Sequence, residues 1–226
     1  MNHELLENNK VYLQGEVVSE PVYSHEVLNE GFYNLDISIP RLSGQNDIIP
    51  ITISERLMND FQIDIGKKIC GNGQFRSYNK MEDGKSKLML TVFLREVMPF
   101  YDSDNPNIIE ITGYVCKEPI FRTTPFKREI SDVLLAVNRS YNKSDYLPCI
   151  AWGKNARFVK NFNVGDKVTV SGRIQSRDYQ KKINDEMITK TAYEVSLNRI
   201  ELVSDVDNSL DTMYTSVGVL ENYYVR

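Results

Sequence analysis

The sequence predicts an all-β protein with short helices, built from two consecutive copies of one small five-stranded Greek-key barrel. Landmark residues recur in the same order at an offset of 98 or 99 along the 226-residue chain. Each copy contains short runs of β-branched and aromatic residues bounded by Gly, Pro and Asn, with one helical segment between the third and fourth runs. Hydrophobic residues make up 41% of the chain and charged residues 26%, which favours packed cores over disorder.

The repeat is visible residue by residue. Its matched pairs are Gly15/Gly113, Pro21/Pro119, Arg41/Arg139 and Pro50/Pro148 at an offset of 98, and Gly73/Gly172 at an offset of 99. Two unrelated β domains of similar composition would share isolated residues but not this order, so a duplication is indicated. The predicted organisation is a first domain over residues 1–101, an acidic linker, a second domain over 107–203 and a C-terminal tail over 204–226.

The elements are clearest in the second copy. Ala156, Val159 and Phe162 recur at helical spacing, and the segment from Asn163 to Gly165 ends that short amphipathic helix. The predicted strands around it are 107–114, 133–139, 146–152, 167–179 and 191–203. The order of three strands, a helix and two more strands predicts the OB architecture, a small Greek-key barrel.

Charge is unevenly distributed between the copies. The whole chain has a net charge of −4, but residues 1–106 carry 10 Lys and Arg against 16 Asp and Glu, a net charge of −6. Residues 107–204 carry 16 against 11, a net charge of +5, and the tail carries 1 against 4. A basic second half beside an acidic first half points to an anionic partner for the second copy.

Three observations predict a soluble cytoplasmic protein. The three cysteines, Cys70, Cys116 and Cys149, are scattered without C-x-x-C spacing, which is typical of reduced, buried thiols. The first residues combine no basic stretch with an apolar one, so no signal peptide is expected. The apolar runs are too short to cross a bilayer, so no membrane association is expected.

Period-two alternation places basic and aromatic side chains together on one face of the second copy. Arg173, Gln175, Arg177 and Tyr179 point away from the side that carries Val168, Val170 and Ile174. Tyr146 and Trp152 share one side of their strand. The neighbouring loops and the helix add Arg122, Arg139, Tyr141, Lys143, Lys154 and Arg157. Such a face suits single-stranded nucleic acid, because cations neutralise phosphates and rings stack on unpaired bases. Half-exposed rings that cap a core, and solvated surface charges, are the structural alternative.

A family resemblance covers nearly all of residues 107–203. Its motifs are the segments 107–113, 117–119, 135–138, 150–154, 165–168 and 172–177, in that order. The sequence resembles the bacterial single-stranded DNA-binding protein family. The resemblance implies base stacking on Tyr141, Tyr146, Trp152 and Tyr179, with phosphate contacts from Lys154, Arg173 and Arg177.

The resemblance also implies a function and an assembly. The expected function is sequence-independent binding and protection of single-stranded DNA in replication, recombination or repair, by a homodimer that combines four OB folds. The family's acidic C-terminal tip is missing from the last residues, so replication partners are not predicted. In the first copy, Tyr141, Tyr146 and Trp152 correspond to Ser43, Ile48 and Ser54, which predicts that the second copy is the main DNA-binding domain.

Two other classes of function fit the sequence less well. A tandem OB scaffold that binds proteins or RNA fits the acidic first copy and the tyrosines of the tail. An enzyme is disfavoured, because His3 and His25 have no ligand-spaced partners and the sequence contains no phosphate-binding or nucleophile motif. We therefore expect no catalytic residues, no metal site and no cofactor.

Overall fold

A computed structural model describes residues 7–82, 84–183 and 186–203. The tail predicted for residues 204–226 and the N-terminal His3 lie outside the described residues. The first half contains β1 (Asn9–Val17), β2 (Val22–Val27), β3 (Glu30–Pro40), β4 (Asn46–Ser54), α1 (Glu55–Phe61), β5 (Lys68–Glu82) and β6 (Lys85–Met98). The second half contains β7 (Asn107–Val115), β8 (Ile120–Thr123), β9 (Glu129–Arg139), β10 (Lys143–Trp152), α2 (Gly153–Val159), β11 (Lys167–Ile183) and β12 (Glu186–Leu202).

Each half closes into a five-stranded barrel with one added edge strand. In the first barrel β1 pairs with β3 and β5, β3 with β4, and β5 with β6, all antiparallel, while β4 and β6 pair in parallel. The second barrel repeats this closure with β7, β9, β10, β11 and β12. Alternate residues of these strands, such as Leu35, Ile37 and Ile39 on β3, fill the barrel interior. The predicted tandem OB folds are confirmed.

The repeated glycines Gly73 and Gly172 lie at the same place in both barrels, where a register shift interrupts the last hairpin. A Cβ on Gly172 would lie 2.1 Å from the carbonyl oxygen of Ser196, and one on Gly73 would lie 2.4 Å from that of Phe93. Because the opposing atom is backbone, a side chain would displace the strand. The close approach of two strands explains why these landmarks recur.

Gly172→Ala is expected to lower the free energy of unfolding by about 1–3 kcal/mol, because the added methyl overpacks the backbone of β12. Gly31→Ala is the matched control, since its Cβ would meet a flexible carboxylate oxygen of Glu55 at 3.0 Å. Urea unfolding of both variants measures the difference. Equal stability of the two would show that the strands separate here at no cost.

Several element boundaries differ from the prediction. The last hairpin of the second barrel is longer, because β11 extends to Ile183 and β12 begins at Glu186. Helix α2 ends at Val159, although Phe162 is still buried beyond it. His25 lies in β2. The predicted linker is held against the first barrel, since the backbone N–H of Gln14 donates to the carbonyl oxygen of Pro106 at 2.7 Å.

The two barrels share one continuous sheet. Strands β1 and β7 pair antiparallel, with Asn9 opposite Ile111 and Leu13 opposite Asn107. Equivalent strands therefore meet across a pseudo-twofold axis. The sheet brings the β3–β4 turn of the first barrel onto β11 and the β9–β10 turn of the second onto β5.

Buried carboxylates connect the barrels at both contacts. Asp47 is 1% exposed and accepts from the Ser176 amide at 2.7 Å and from Arg173 at 2.8 Å, both in the second barrel. Its repeat equivalent, Asp145, is fully buried and accepts from the Ser77 amide of the first barrel at 2.7 Å. A sequence repeat therefore specifies the interface twice, once in each direction.

Candidate nucleic-acid interface

The candidate interface is the outer face of β10 and its neighbours. Tyr146 and Trp152 point outward from β10 while Leu147, Cys149 and Ala151 point into the barrel, as strand alternation requires. The Trp152 ring nitrogen donates to the Ser196 hydroxyl of β12 at 3.1 Å, which fixes the ring against the surface. Trp152 is 37% exposed, so part of its side chain remains accessible to a ligand.

A third ring lies in line with Tyr146. Ala136 of β9 pairs with Tyr146 on one side and with Tyr114 of β7 on the other. Paired residues project from the same face of a sheet, so the exposed rings of Tyr114 and Tyr146 flank the small Ala136 side chain. Tyr114 is not among the residues predicted from the sequence. Its alternation with the buried Gly113 and Val115 was readable, but the register against β9 was not.

Tyr141 and Tyr179 lie outside β10, one in a turn and the other on a hairpin. Tyr141 is 81% exposed in a single 3-10 turn between β9 and β10, with a left-handed φ of 63°. Tyr179 lies on the long β11–β12 hairpin, and its ring is 5.9 Å from the Arg177 guanidinium carbon. The four predicted aromatics therefore stand on one barrel but spread from a turn, across a strand, to a projecting hairpin.

Most of the predicted cations are ion-paired. The five arginines each contact a carboxylate: Arg122 with Asp132 at 2.8 Å, Arg139 with Asp145 at 3.1 Å, Arg157 with Glu129 at 2.5 Å, Arg173 with Asp47 at 2.8 Å, and Arg177 with Glu194 at 3.6 Å. Hydrogen bonding to Asp132 raises the pKa of Arg122 above its usual value. Arg173 in particular joins the two barrels. A phosphate must therefore compete with a carboxylate at these positions.

The two predicted lysines differ from the arginines. Lys143 and Lys154 are exposed, and neither belongs to an ion pair within the described residues. Lys143 opens β10 beside the turn that carries Tyr141, and Lys154 follows Trp152 directly in α2. Each lysine therefore accompanies one ring of the interface.

The predicted face contains a buried polar pair that was not expected. Gln175 was expected to point outward, and it does pair with Glu194 across β11 and β12, but both side chains are buried. The Gln175 amide donates to the Glu194 carboxylate at 2.7 Å. A buried, hydrogen-bonded acid sits between Arg177 and the rest of the face and lowers its positive charge.

In the first barrel, the aromatic rings lie on other strands than the ring of Trp152 in the second barrel. Ser54 stands where Trp152 stands in the second barrel, and its hydroxyl accepts from the Leu57 amide to cap α1. The rings lie on the adjacent strands: Phe32 pairs with Ser54, and Phe93 pairs with Thr52. The Phe32 and Phe93 ring centroids are 5.5 Å apart.

These positions correspond to small or aliphatic residues in the second barrel. Ile130 occupies the place of Phe32 opposite Trp152, and Ser196 occupies the place of Phe93. His25 of β2 stacks on Phe32 with ring centroids 5.1 Å apart. A comparison at constant offset missed this ring set, because the aromatic residues changed strand.

The part of the chain that the structure describes contains three free cysteines and helices of one or two turns. There, no three His, Cys, Asp or Glu side chains are grouped so that they would hold a metal ion. The helices in the same residue ranges are too short and too polar to span a bilayer. Cys70 and Cys149 are buried, Cys116 is half-buried, and all three are free thiols.

Comparison with known proteins agrees with this geometry. The model of the single-strand binding protein family matches residues 106–203. The single-stranded DNA-binding protein 2 of Listeria innocua is 33% identical over 123 residues, which are 51% of this chain and 77% of that protein. The single-stranded DNA-binding protein A of Bacillus subtilis is 28% identical over 102 residues, and the chain spans 59% of its length.

The fold of both halves together has a solved counterpart. The crystal structure of the single-stranded DNA-binding protein from Thermus aquaticus superposes with a TM-score of 0.68 over 87% of this chain and 93% of that one. Its sequence identity is 19%, so the likeness concerns the fold. Given the match to residues 106–203 and to three quarters of the Listeria protein, the chain belongs to the single-strand binding protein family.

Proposed function

We propose that this protein binds single-stranded DNA without sequence preference, by stacking bases on the outer face of the second barrel, and so protects the strand in replication, recombination or repair. The observation that carries the proposal is the pair of outward rings on β10, with Trp152 fixed by its hydrogen bond to Ser196. Every base has a face that can stack, so rings on a rigid strand bind bases without reading their edges.

The relatives support the same ligand, because the Listeria and Bacillus proteins are named for binding single-stranded DNA. The ion-paired arginines make stacking, rather than free positive charge, the larger expected contribution. We further propose that the protein acts by binding alone and performs no catalysis.

Titration of the full chain with oligo-dT tests the function, because Trp152 is the only tryptophan. We expect the fluorescence of Trp152 to be quenched, with an affinity that falls as salt rises, since bound phosphates release counterions. Duplex DNA of the same length is the control and is expected to quench weakly. Absence of both quenching and a gel shift with oligo-dT at low salt would contradict the proposed function.

Oligo-rU of equal length distinguishes the second candidate, an RNA-binding or protein-binding scaffold. The predicted contacts of the interface are mainly aromatic rings, which stack on the bases of DNA and RNA alike. Recognition of the ribose 2′-hydroxyl is not among these contacts, so RNA is expected to have no advantage. Binding of oligo-rU that is much tighter than that of oligo-dT would favour the scaffold.

We also propose that two chains associate so that four OB folds act together. In support, Tyr12 and the exposed Ile108 pair across β1 and β7 at the centre of the outer surface of the shared sheet. Light scattering of the purified chain is expected to give twice its mass of 26.1 kDa. A mass that stays at one chain over a wide concentration range would contradict the dimer.

A further inference from the structure

The pseudo-twofold axis between the barrels relates two surface basins that have the same backbone and different charges. The junction basin, about 240 Å³, lies between the start of β1 and the β9–β10 turn and is lined by Asn8, Gln74, Arg76, Arg95, Arg139 and Lys143, among others. The opposite basin lies between the linker and the β3–β4 turn, and its charged lining residues are Arg41, Asp47, Asp104 and Arg173.

The charges of the opposite basin cancel. Asp47 accepts from Arg41 at 2.8 Å and from Arg173 at 2.8 Å, and Asp104 of the linker supplies a second carboxylate. Two cations and two anions line this basin. The lining of this basin therefore has no net charge that would attract an anionic ligand.

The junction basin is lined by four cations and by no Asp or Glu. One of the four, Arg139, pairs at 3.1 Å with the buried Asp145, which does not line the basin. Gln74 stands at the repeat position of Arg173, and its amide oxygen accepts from Arg76 at 2.7 Å and from Arg95 at 3.0 Å. A neutral amide thus holds two guanidinium groups together. Two positive charges bound to the same amide oxygen repel each other, and an anion bound between them would offset that repulsion.

Arg76 shows the same imbalance. Its Nε is buried and has no hydrogen-bond partner within the described residues. Burial and the neighbouring charges of Arg139 and Arg95 lower the pKa of Arg76 to about 10, although the nearby Asp145 acts in the opposite direction. Its guanidinium carbon lies 4.7 Å from the centre of the Phe93 ring, so the same side chain faces the ring set of the first barrel.

A second groove continues from the junction basin. It contains Arg76 and Arg139 as well, and extends over His25, Tyr78 and Phe93 of the first barrel. The basin itself is bordered by Tyr141 of the second barrel. Rings therefore stand on both sides of a cationic crossing.

We propose that the junction basin binds a phosphate group of single-stranded DNA, so that a strand held by the second barrel crosses between the barrels and continues over His25, Phe32 and Phe93. This inference rests on the proposed function and extends its site to the first barrel, which sequence comparison had set aside. Guanidinium groups suit the task because their paired N–H donors match phosphate oxygens.

The test compares Arg76→Gln/Arg95→Gln with wild type on oligo-dT of about 8 and about 35 nucleotides, lengths below and above the capacity of a single OB fold. We expect unchanged binding of the short oligomer. For the long one we expect about tenfold weaker binding at low salt and a salt slope smaller by about 0.7, since one phosphate contact to a single strand contributes about 0.7.

Lys117→Gln/Lys167→Gln is the matched control, because it removes two positive charges from residues that line neither basin. Arg95→Gln alone, at an exposed side chain, is expected to give half the slope change and guards against misfolding of the double variant. If wild type fails to bind either oligomer, the proposed function fails. If wild type binds both and the double variant matches it on the long one, only the junction site is overturned.

Discussion

Tyr146→Ala/Trp152→Ala is expected to weaken oligo-dT binding by about 2–6 kcal/mol, because each stacked base contributes about 1–3 kcal/mol by alanine substitution. The two residues are six positions apart on β10, which places them about 20 Å from each other along the strand. At that separation they contact different bases, so the losses of the single variants should add. Anisotropy of a labelled oligomer measures binding, since the double variant lacks the tryptophan.

Two controls separate stacking from damage to the fold. Tyr101→Ala removes a half-exposed ring from the segment that joins the barrels and is expected to leave binding unchanged. Trp152→Phe keeps a ring on the same backbone and should lose less affinity than Trp152→Ala. If the double variant binds as well as Tyr101→Ala, the face of β10 is not where bases stack.

The fold was predictable because the backbone requires particular residue types at the repeated positions, and those residue types are visible in the sequence. Gly73 and Gly172 recur because a strand passes within 2.4 and 2.1 Å of the place of a Cβ. Strand alternation likewise placed Tyr146 and Trp152 on the outside of β10 without any knowledge of its neighbours. Constraints of this kind act along the chain, so a single sequence displays them.

The first barrel's ring set was not predictable, because it depends on which residues face each other across strands. Phe32 and Phe93 supply the aromatic surface that Trp152 supplies in the second barrel, yet they lie on β3 and β6 rather than at the equivalent position of β4. The serine left at that position gained another role as the cap of α1. Only the strand register shows that these two rings form one cluster.

The roles of the repeated acids and arginines were also hidden. Asp47 and Asp145, with Arg41 and Arg139, are matched across the repeat, and Arg139 was predicted to contact DNA. Both acids also receive a backbone amide from the other barrel, more than 60 positions away. The sequence shows that these residues are charged, but the partner of each acid lies on a distant strand that only the closed fold brings near.

Asp47→Ala is expected to lower the free energy of unfolding by about 3 kcal/mol, the lower end of the usual loss when one partner of a buried ion pair is removed. The change strips the acceptor from Arg41, Arg173 and the Ser176 amide at once. The two arginines keep some contact with solvent, at 21% and 38% exposure, which limits the loss. Chemical unfolding followed by far-UV circular dichroism measures it.

Asp60→Ala is the matched control, because Asp60 pairs with Arg56 at 3.5 Å on the surface of α1 and both side chains are more than half exposed. Exposed pairs contribute about 0–1 kcal/mol, so this variant should unfold almost as wild type does. Of the two acids, only Asp47 contacts the other barrel. Its removal should therefore also broaden the unfolding transition, because the two barrels would unfold less cooperatively. An Asp47 variant as stable as the Asp60 variant would mean that the β1–β7 pairing and the Asp145 contact hold the barrels together without Asp47.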